Sequence, residues 1–287
     1  MIASGTPVRL CRGLLDDSGQ RHRDAVVGEL TGHVETALAQ AGSLPGAWAV
    51  AHLLSRALVR IGGYAPVSPE IALLLPRDDQ AHLALVLRQQ LLGDRLSLIL
   101  TCPACGEAAD VDLHISELLP DGAPATLSAT VQTDAGAIVV REPIGADDAA
   151  VEGLQDDVAG PALWSRLVLD VDGAGPVDPD GWRALGSRVH QQVALGLADL
   201  RVGPDLDFLS PCPECSAVVA FSLDAPALLA QEVGAAEGRL LAEIHVLAFH
   251  YHWTEDAILA LPRDRRWTYL ELLSRQLSGR PLLGVRG

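Results

Sequence analysis

The chain has 287 residues, 49% of them hydrophobic, with 21 basic side chains against 37 acidic ones and a formal net charge of −16. That is ample material for a packed core, and the acidity argues against nucleic acid as the main partner, because phosphate binding needs a concentrated positive footprint. No signal-length apolar run opens the chain and no uncharged stretch is long enough to span a bilayer, so the sequence predicts a cytoplasmic protein with no membrane partner.

Residues 1–23 are polar and Gly-rich and read as a flexible N-terminus. Residues 24–94 read as a helical region. Val26, Val27, Leu30, Val34 and Leu38 recur near helical spacing over 24–41, and Gly42 stops that helix. A second helix runs from Pro45 to Ile61 and ends at Gly62-Gly63; a short one covers 69–75 and a longer one 78–92.

Two cysteine pairs then organise everything else: Cys102-Pro103-Ala104-Cys105-Gly106, within residues 95–119, and Cys212-Pro213-Glu214-Cys215, within residues 205–224. Each is a tight knuckle between two short apolar runs. Sliding one onto the other also places Gly93 over Gly203, Leu96 over Leu206, Leu113 over Leu223 and Leu118-Leu119 over Leu228-Leu229. The register predicts two related β-hairpins that pack face to face. One such turn can present two thiolates, and Zn²⁺ takes four ligands in a tetrahedron, so Cys102, Cys105, Cys212 and Cys215 together make one closed structural site with one zinc per chain. Two other readings stay open: a redox-active pair, which normally opens a helix after a strand, and structural disulfides or an emptied site. Ser216 stands where the first knuckle has Gly106, which weakens its turn, and Cys11 reads as an inert thiol near a mobile end.

Between the knuckles, residues 120–204 have another texture. The turn Thr133-Asp134-Ala135-Gly136 between two apolar runs, 126–132 and 137–141, predicts a small hairpin. Helical patches follow at 147–156 and 162–170 on either side of Gly160-Pro161, then a loop from Gly173 to Pro179 and a helix over 182–200. Residues 225–287 read as helical: 228–249, 255–261 and 264–277. The fold class is therefore α+β and mostly helical, with a four-cysteine, zinc-ribbon-like pair of hairpins and a small central hairpin.

Catalytic motifs are missing from this inventory. There is no Gly-x-Ser-x-Gly, phosphate loop or dinucleotide fingerprint, and adjacent acids such as Asp147-Asp148 diverge on a helix. His245, His250 and His252 lack the four-residue step of two ligands on one helix face, so capping or packing suits them better. The C-terminus carries Arg263, Arg265, Arg266, Arg275, Arg280 and Arg286 against Asp264 and Glu271: either a solvated face or a docking surface for an acidic partner. Its helix, turn, short helix, helix order also allows a helix-turn-helix DNA reader, which the acidity of the chain opposes.

Several segments carry a family resemblance. Gly28-Glu29-Leu30-Thr31-Gly32, Ile61-Gly62-Gly63, and Leu87-Arg88 with Leu92-Gly93-Asp94 running into the first knuckle resemble the T4-type baseplate hub assembly proteins of contractile phage tails and extracellular contractile injection systems. Glu243-Ile244-His245-x-Leu247-Ala248, Tyr251-His252-Trp253-Thr254-Glu255, Ile258-Leu259-Ala260-Leu261-Pro262 and Arg265-Arg266-x-x-Tyr269-Leu270 resemble that family's C-terminal signature. The resemblance covers residues 24–277. It implies a non-enzymatic assembly factor, or chaperone, whose partners are hub, spike or tape-measure proteins. The alternatives are a zinc-ribbon subunit of the baseplate itself and a zinc-ribbon nucleic-acid regulator. The partner-binding residues expected at the basic, aromatic C-terminal tip are Trp253, Arg263, Arg265, Arg266 and Tyr269.

Overall fold

A computed structural model describes residues 5–42, 46–120 and 128–279. Its α+β fold is one supersecondary unit written twice. The first copy starts with strands β1 (Thr6–Leu15) and β2 (Arg21–Val27), helices α1 (Gly32–Gly42) and α2 (Gly46–Ala57), and β3 (Leu58–Ile61), which returns to pair with β2. Helices α3 (Pro69–Leu73) and α4 (Arg77–Leu92) follow. The copy closes with the knuckle hairpin β4 (Arg95–Thr101) and β5 (Ala108–His114), then the short α5 (Ile115–Leu118). The second copy repeats that order: β6 (Ser128–Thr133), β7 (Gly136–Arg141), α6 (Gly145–Val151), α7 (Asp156–Leu167), β8 (Val168–Val171), α8 (Pro179–Ala184), α9 (Ser187–Ala198), β9 (Asp207–Pro211), β10 (Val218–Ser222) and the long α10 (Ala225–Tyr251).

The likeness reaches single hydrogen bonds. The two sheets, β1-β2-β3 and β6-β7-β8, have the same order, and their third strands join with the same slip, after Val26↔Arg60 in one and Val139↔Asp170 in the other. Just beyond, Gly62 and Asp172 both take a left-handed backbone, and each amide donates 2.7 Å to the second strand, to the Asp24 and Ala137 carbonyls. Ser68 and Asp178 cap the next helices by accepting from the amides of Ile71 and Gly181. From β3 and β8 onward, equivalent residues stand a constant 110 positions apart, as Ser68 does from Asp178 and Cys102 from Cys212. The repeat noticed in the knuckles therefore spans nearly the whole unit.

A third, partial copy ends the chain. Helices α11 (Glu255–Leu259) and α12 (Arg263–Leu277) repeat α3 and α4, and Leu261-Pro262-Arg263-Asp264 repeats Leu75-Pro76-Arg77-Asp78. Leu75 accepts from the Gly145 amide at the start of α6, and Leu261 accepts from the Gly32 amide at the start of α1, both at 3.2 Å. Each glycine permits that approach. A Cβ on Gly32 would lie 3.0 Å from the Leu259 Cα, and one on Gly145 would lie 2.3 Å from the Gln80 side-chain Nε2 and 3.2 Å from the Leu73 carbonyl oxygen.

Several expectations change. The N-terminus predicted to be flexible is strand from Thr6 onward, with Leu10 and Leu14 fully buried, and the helix predicted from residue 24 starts only at Gly32. Val26 and Val27 fit a helical period, but these β-branched residues sit in β2, where pairing on both sides holds them extended. The same bias ends α2 at Ala57 and α7 at Leu167, each followed by a strand where helix was predicted. Gly160-Pro161 lies inside α7 instead of separating two helices, α6 ends at Val151, and Gly186 splits the predicted 182–200 helix into α8 and α9. The central hairpin forms around Gly136 as predicted; residues 126 and 127 of its first run lie outside the described residues, as do 43–45.

The main core lies in the first copy, among Leu38, Leu54, Ile61, Leu75, Leu83 and Leu87. The second copy has a smaller core around Val140, Val193 and Trp182, whose indole stacks on Trp164 and His190 with centroids 5.1 and 4.2 Å apart. Helix α10 leaves the second knuckle and packs across α1 and α4, burying Leu229 and Val233 in the first core. Arg88 of α4 grips Glu232 of α10 through two 3.0 Å bonds while its Nη1 donates to the Gly93 and Arg95 carbonyls at 2.6 and 2.7 Å. One guanidinium thus fixes the base of the first hairpin to the helix that follows the second. Among the described residues no helix is long and apolar enough to cross a membrane.

Candidate metal centre

The two knuckles have the same backbone. In the first, the Gly106 amide donates to the Cys102 carbonyl at 2.9 Å and the Cys102 amide to the Glu107 carbonyl at 2.9 Å. In the second, Ser216 donates to Cys212 at 2.9 Å and Cys212 to Ala217 at 2.8 Å. These turns need a left-handed residue after the second cysteine, with φ of 79° at Gly106 and 60° at Ser216. Serine therefore forms the turn, with steric strain that glycine avoids.

The fold brings the pairs together across more than 100 residues of chain. Cys102 Sγ lies 3.8 Å from Cys215 Sγ, Cys105 Sγ lies 3.8 Å from Cys212 Sγ, and all four sulfurs fall within 4.8 Å of one another. Four sulfurs about 2.3 Å from a central ion at tetrahedral angles stand roughly 3.8 Å apart, the separation found for two of the six sulfur pairs. A disulfide needs about 2.05 Å, and all five cysteines are free thiols. Cys102 and Cys212 are buried against Val219, while Cys105 and Cys215 face outward. The Cys105 and Ala104 amides donate to the Cys102 sulfur and bring its pKa down to about 7, while against the Glu107 amide desolvation and the neighbouring sulfurs push Cys105 up to about 12, and Cys215 is raised as well. Each knuckle leads into a strand, not the helix of a thiol–disulfide exchange motif. The four cysteines can hold a metal ion.

Four histidines stay apart from the cysteine cluster. His114 sits at the hairpin base, 3.2 Å from Asp94, and is absent from the cysteine cluster. His245 and His250 are exposed and contact Phe249, and His252 is the left-handed C-cap of α10, so this trio forms no metal-holding group among the described residues.

The C-terminal tip differs from its prediction. Arg266 is fully buried, donating to Glu35 at 2.5 Å, Glu243 at 2.9 Å and the Leu261 carbonyl at 2.8 Å. It cannot serve as a surface docking residue, and this corrects the expectation for it. Arg263 is half-buried and donates to the Leu91 carbonyl. Trp253 and Tyr269 pack on each other at 4.8 Å and on Tyr251 at 5.0 and 5.7 Å, so the aromatic cluster holds α10 to α12. Of the five, Arg265 alone is an exposed cation; Arg280 and Arg286 lie outside the described residues. Arg275 of the same patch is exposed as well.

Two buried polar clusters escaped the sequence reading. Cys11 is not at a mobile end: it is buried in β1, its sulfur 3.3 Å from His82 Nδ1. Asp79 beside it accepts from three successive amides, Cys11 at 2.6 Å, Arg12 at 3.2 Å and Gly13 at 2.7 Å, and so clamps β1 to α4. Burial, then Asp79, push the Cys11 thiol up to about 12, and with Asp79 and His82 it forms a second buried group close enough to hold a metal ion. Next to this clamp Arg12, also fully buried, pairs with Glu142 at 2.8 Å and Asp78 at 3.3 Å. The only advance signal was Asp78-Asp79 at a helix start, which marks a solvated first turn equally well.

No protein-family model, curated protein or solved structure matches the chain.

Proposed function

We propose that this protein is a non-enzymatic assembly factor for the baseplate hub or spike of a contractile tail or injection system, with its duplicated scaffold pinned by one structural Zn²⁺. The observation that carries the scaffold half of the reading is the cluster of four sulfurs within 4.8 Å of one another, built from one knuckle of each copy. Bound there, zinc would supply cohesion and no chemistry, because four protein ligands leave no open position for a substrate. The client half rests on the resemblance of the knuckle and C-terminal segments to baseplate hub assembly proteins. The chain would cover an aggregation-prone hub, spike or tape-measure surface until the baseplate closes over it.

The test is a pull-down of the tagged chain from its native host, with captured proteins identified and zinc counted in the same sample. Tail components with one zinc per chain support the reading. Deletion of the gene with normal sheathed particles still forming overturns it. Presence in purified particles at a fixed whole-number ratio to the hub would instead make it a structural subunit.

A further inference from the structure

The two knuckle hairpins share a backbone but not an outer face. In the first, the outward cross-strand pairs are Thr101–Ala108, Ile99–Asp110 and Ser97–Asp112, so the exposed Ile99 has an acid opposite it. In the second, the equivalent pairs are Pro211–Val218, Leu209–Ala220 and Asp207–Ser222. Four apolar residues stand side by side there, with Leu209 76% and Val218 66% exposed. They are outward by strand alternation, because Phe208 and Phe221 stack on the inner side at 4.9 Å and Val219 is buried against the cysteines. Among the described residues the sheet has two strands, so its edges are open beside this face.

The charges around it are acidic. Glu214 lies in the same knuckle and Glu107 in the knuckle it meets, Asp205 precedes β9, and all three are exposed. The nearby cation Arg201 is already paired with Asp207 at 2.8 Å. A second copy of this chain would bring the same acids and another net −16, so self-docking sets like charges against each other. We propose that the outer face of the second knuckle hairpin docks a partner protein whose matching surface is apolar with a basic rim. The face names the chemistry of a client without depending on which client the pull-down identifies, and its failure would leave the pull-down and zinc count unchanged.

The test titrates the zinc-loaded full chain with a labelled strand-forming peptide of alternating Val and Lys, with a Val/Glu peptide as its control. Expected are binding of the Val/Lys peptide alone, weakening with added salt, and a loss of about tenfold or more in Leu209→Ser/Val218→Ser, since two apolar contacts are then lost. Zinc content and melting temperature of that variant, checked in parallel, should match wild type. Three results overturn the proposal: no Val/Lys binding, equal binding by the variant, or an equal loss in Ile99→Ser on the first hairpin. Self-association of the wild type that the double variant abolishes would also overturn it, by making a second copy the occupant.

Discussion

Arg266 of α12 reaches Glu35 of α1 across 231 positions of sequence, and the contact is closed to water on both sides. Glu243 completes the site from α10 and also accepts from the Trp267 indole at 3.1 Å. Three helices thus meet on one guanidinium. Arg266→Ala would leave two carboxylates buried without their cation, which costs about 3–5 kcal/mol. Denaturant unfolding should show a loss of that size, and amide exchange should accelerate first in α11 and α12. A loss within about 0.5 kcal/mol, typical of surface sites, would return Arg266 to the exposed role its sequence context suggests.

Each knuckle supplies half of one site, so Cys102→Ser and Cys212→Ser should release the same single metal ion. Binding energy at such a site is folding energy, so both variants and chelator-treated wild type should lose stability together. Cys11→Ser should keep its metal, since that thiol lies in the β1 clamp. Because Cys11, Asp79 and His82 also stand close enough to hold an ion, metal analysis in the Cys11→Ser background decides the matter: two ions per chain there, or metal retained in either knuckle variant, would exclude a shared site.

The four-cysteine cluster was legible in the sequence because its members sit in local motifs. Cys-Pro-x-Cys fixes a turn by itself, and the matching register of Leu96 with Leu206 and Leu113 with Leu223 predicted that two such turns would meet. The long helices α4, α10 and α12 were legible for the same reason, since their apolar period is intrinsic to each segment. What failed were decisions made elsewhere in the chain. Val26 and Val27 satisfy a helical period and a strand equally well, and β3, more than thirty residues on, settles the choice by pairing with them. Arg266 looked like part of a basic tip because its partners, Glu35 and Glu243, are remote in sequence. The full duplication was hidden because the halves kept their backbone hydrogen bonds while exchanging side chains, as Gly62 for Asp172 and Gly106 for Ser216.

Glu142 should give stability a measurable pH dependence. Burial first, then Asp78, raise its pKa from 4.5 to about 8 despite the Arg12 and Arg77 guanidiniums, because buried Arg12 is shared between Asp78 and Glu142 and Asp79 adds a further negative charge. The folded chain then keeps a proton that the unfolded chain releases above pH 4.5. This contribution is full below that pH and is lost as pH rises through about 8. Melting temperatures of wild type and Glu142→Gln, which keeps the shape and an acceptor for Arg12, should diverge steadily over that window in favour of the variant. A constant difference would mean that Glu142 is ionised throughout.

Ser216 and Gly106 offer a test of the two knuckles against each other. Both hold a left-handed backbone at the same turn position, and a side chain there crowds its own carbonyl, at about 1–2 kcal/mol. Glycine avoids that but loses more freedom on folding, by about 0.5–1 kcal/mol. Ser216→Gly should therefore stabilise the metal-loaded protein by up to about 1 kcal/mol, and Gly106→Ser should destabilise it by a similar amount. A Cβ on Gly106 meets nothing within 4 Å, so the second effect would be conformational and not a clash. Combining the two exchanges the knuckles and should bring melting temperature and metal affinity back near wild type. If the pair fails to compensate, the knuckles carry different strain, and the equivalence seen in their hydrogen bonds does not extend to their energetics.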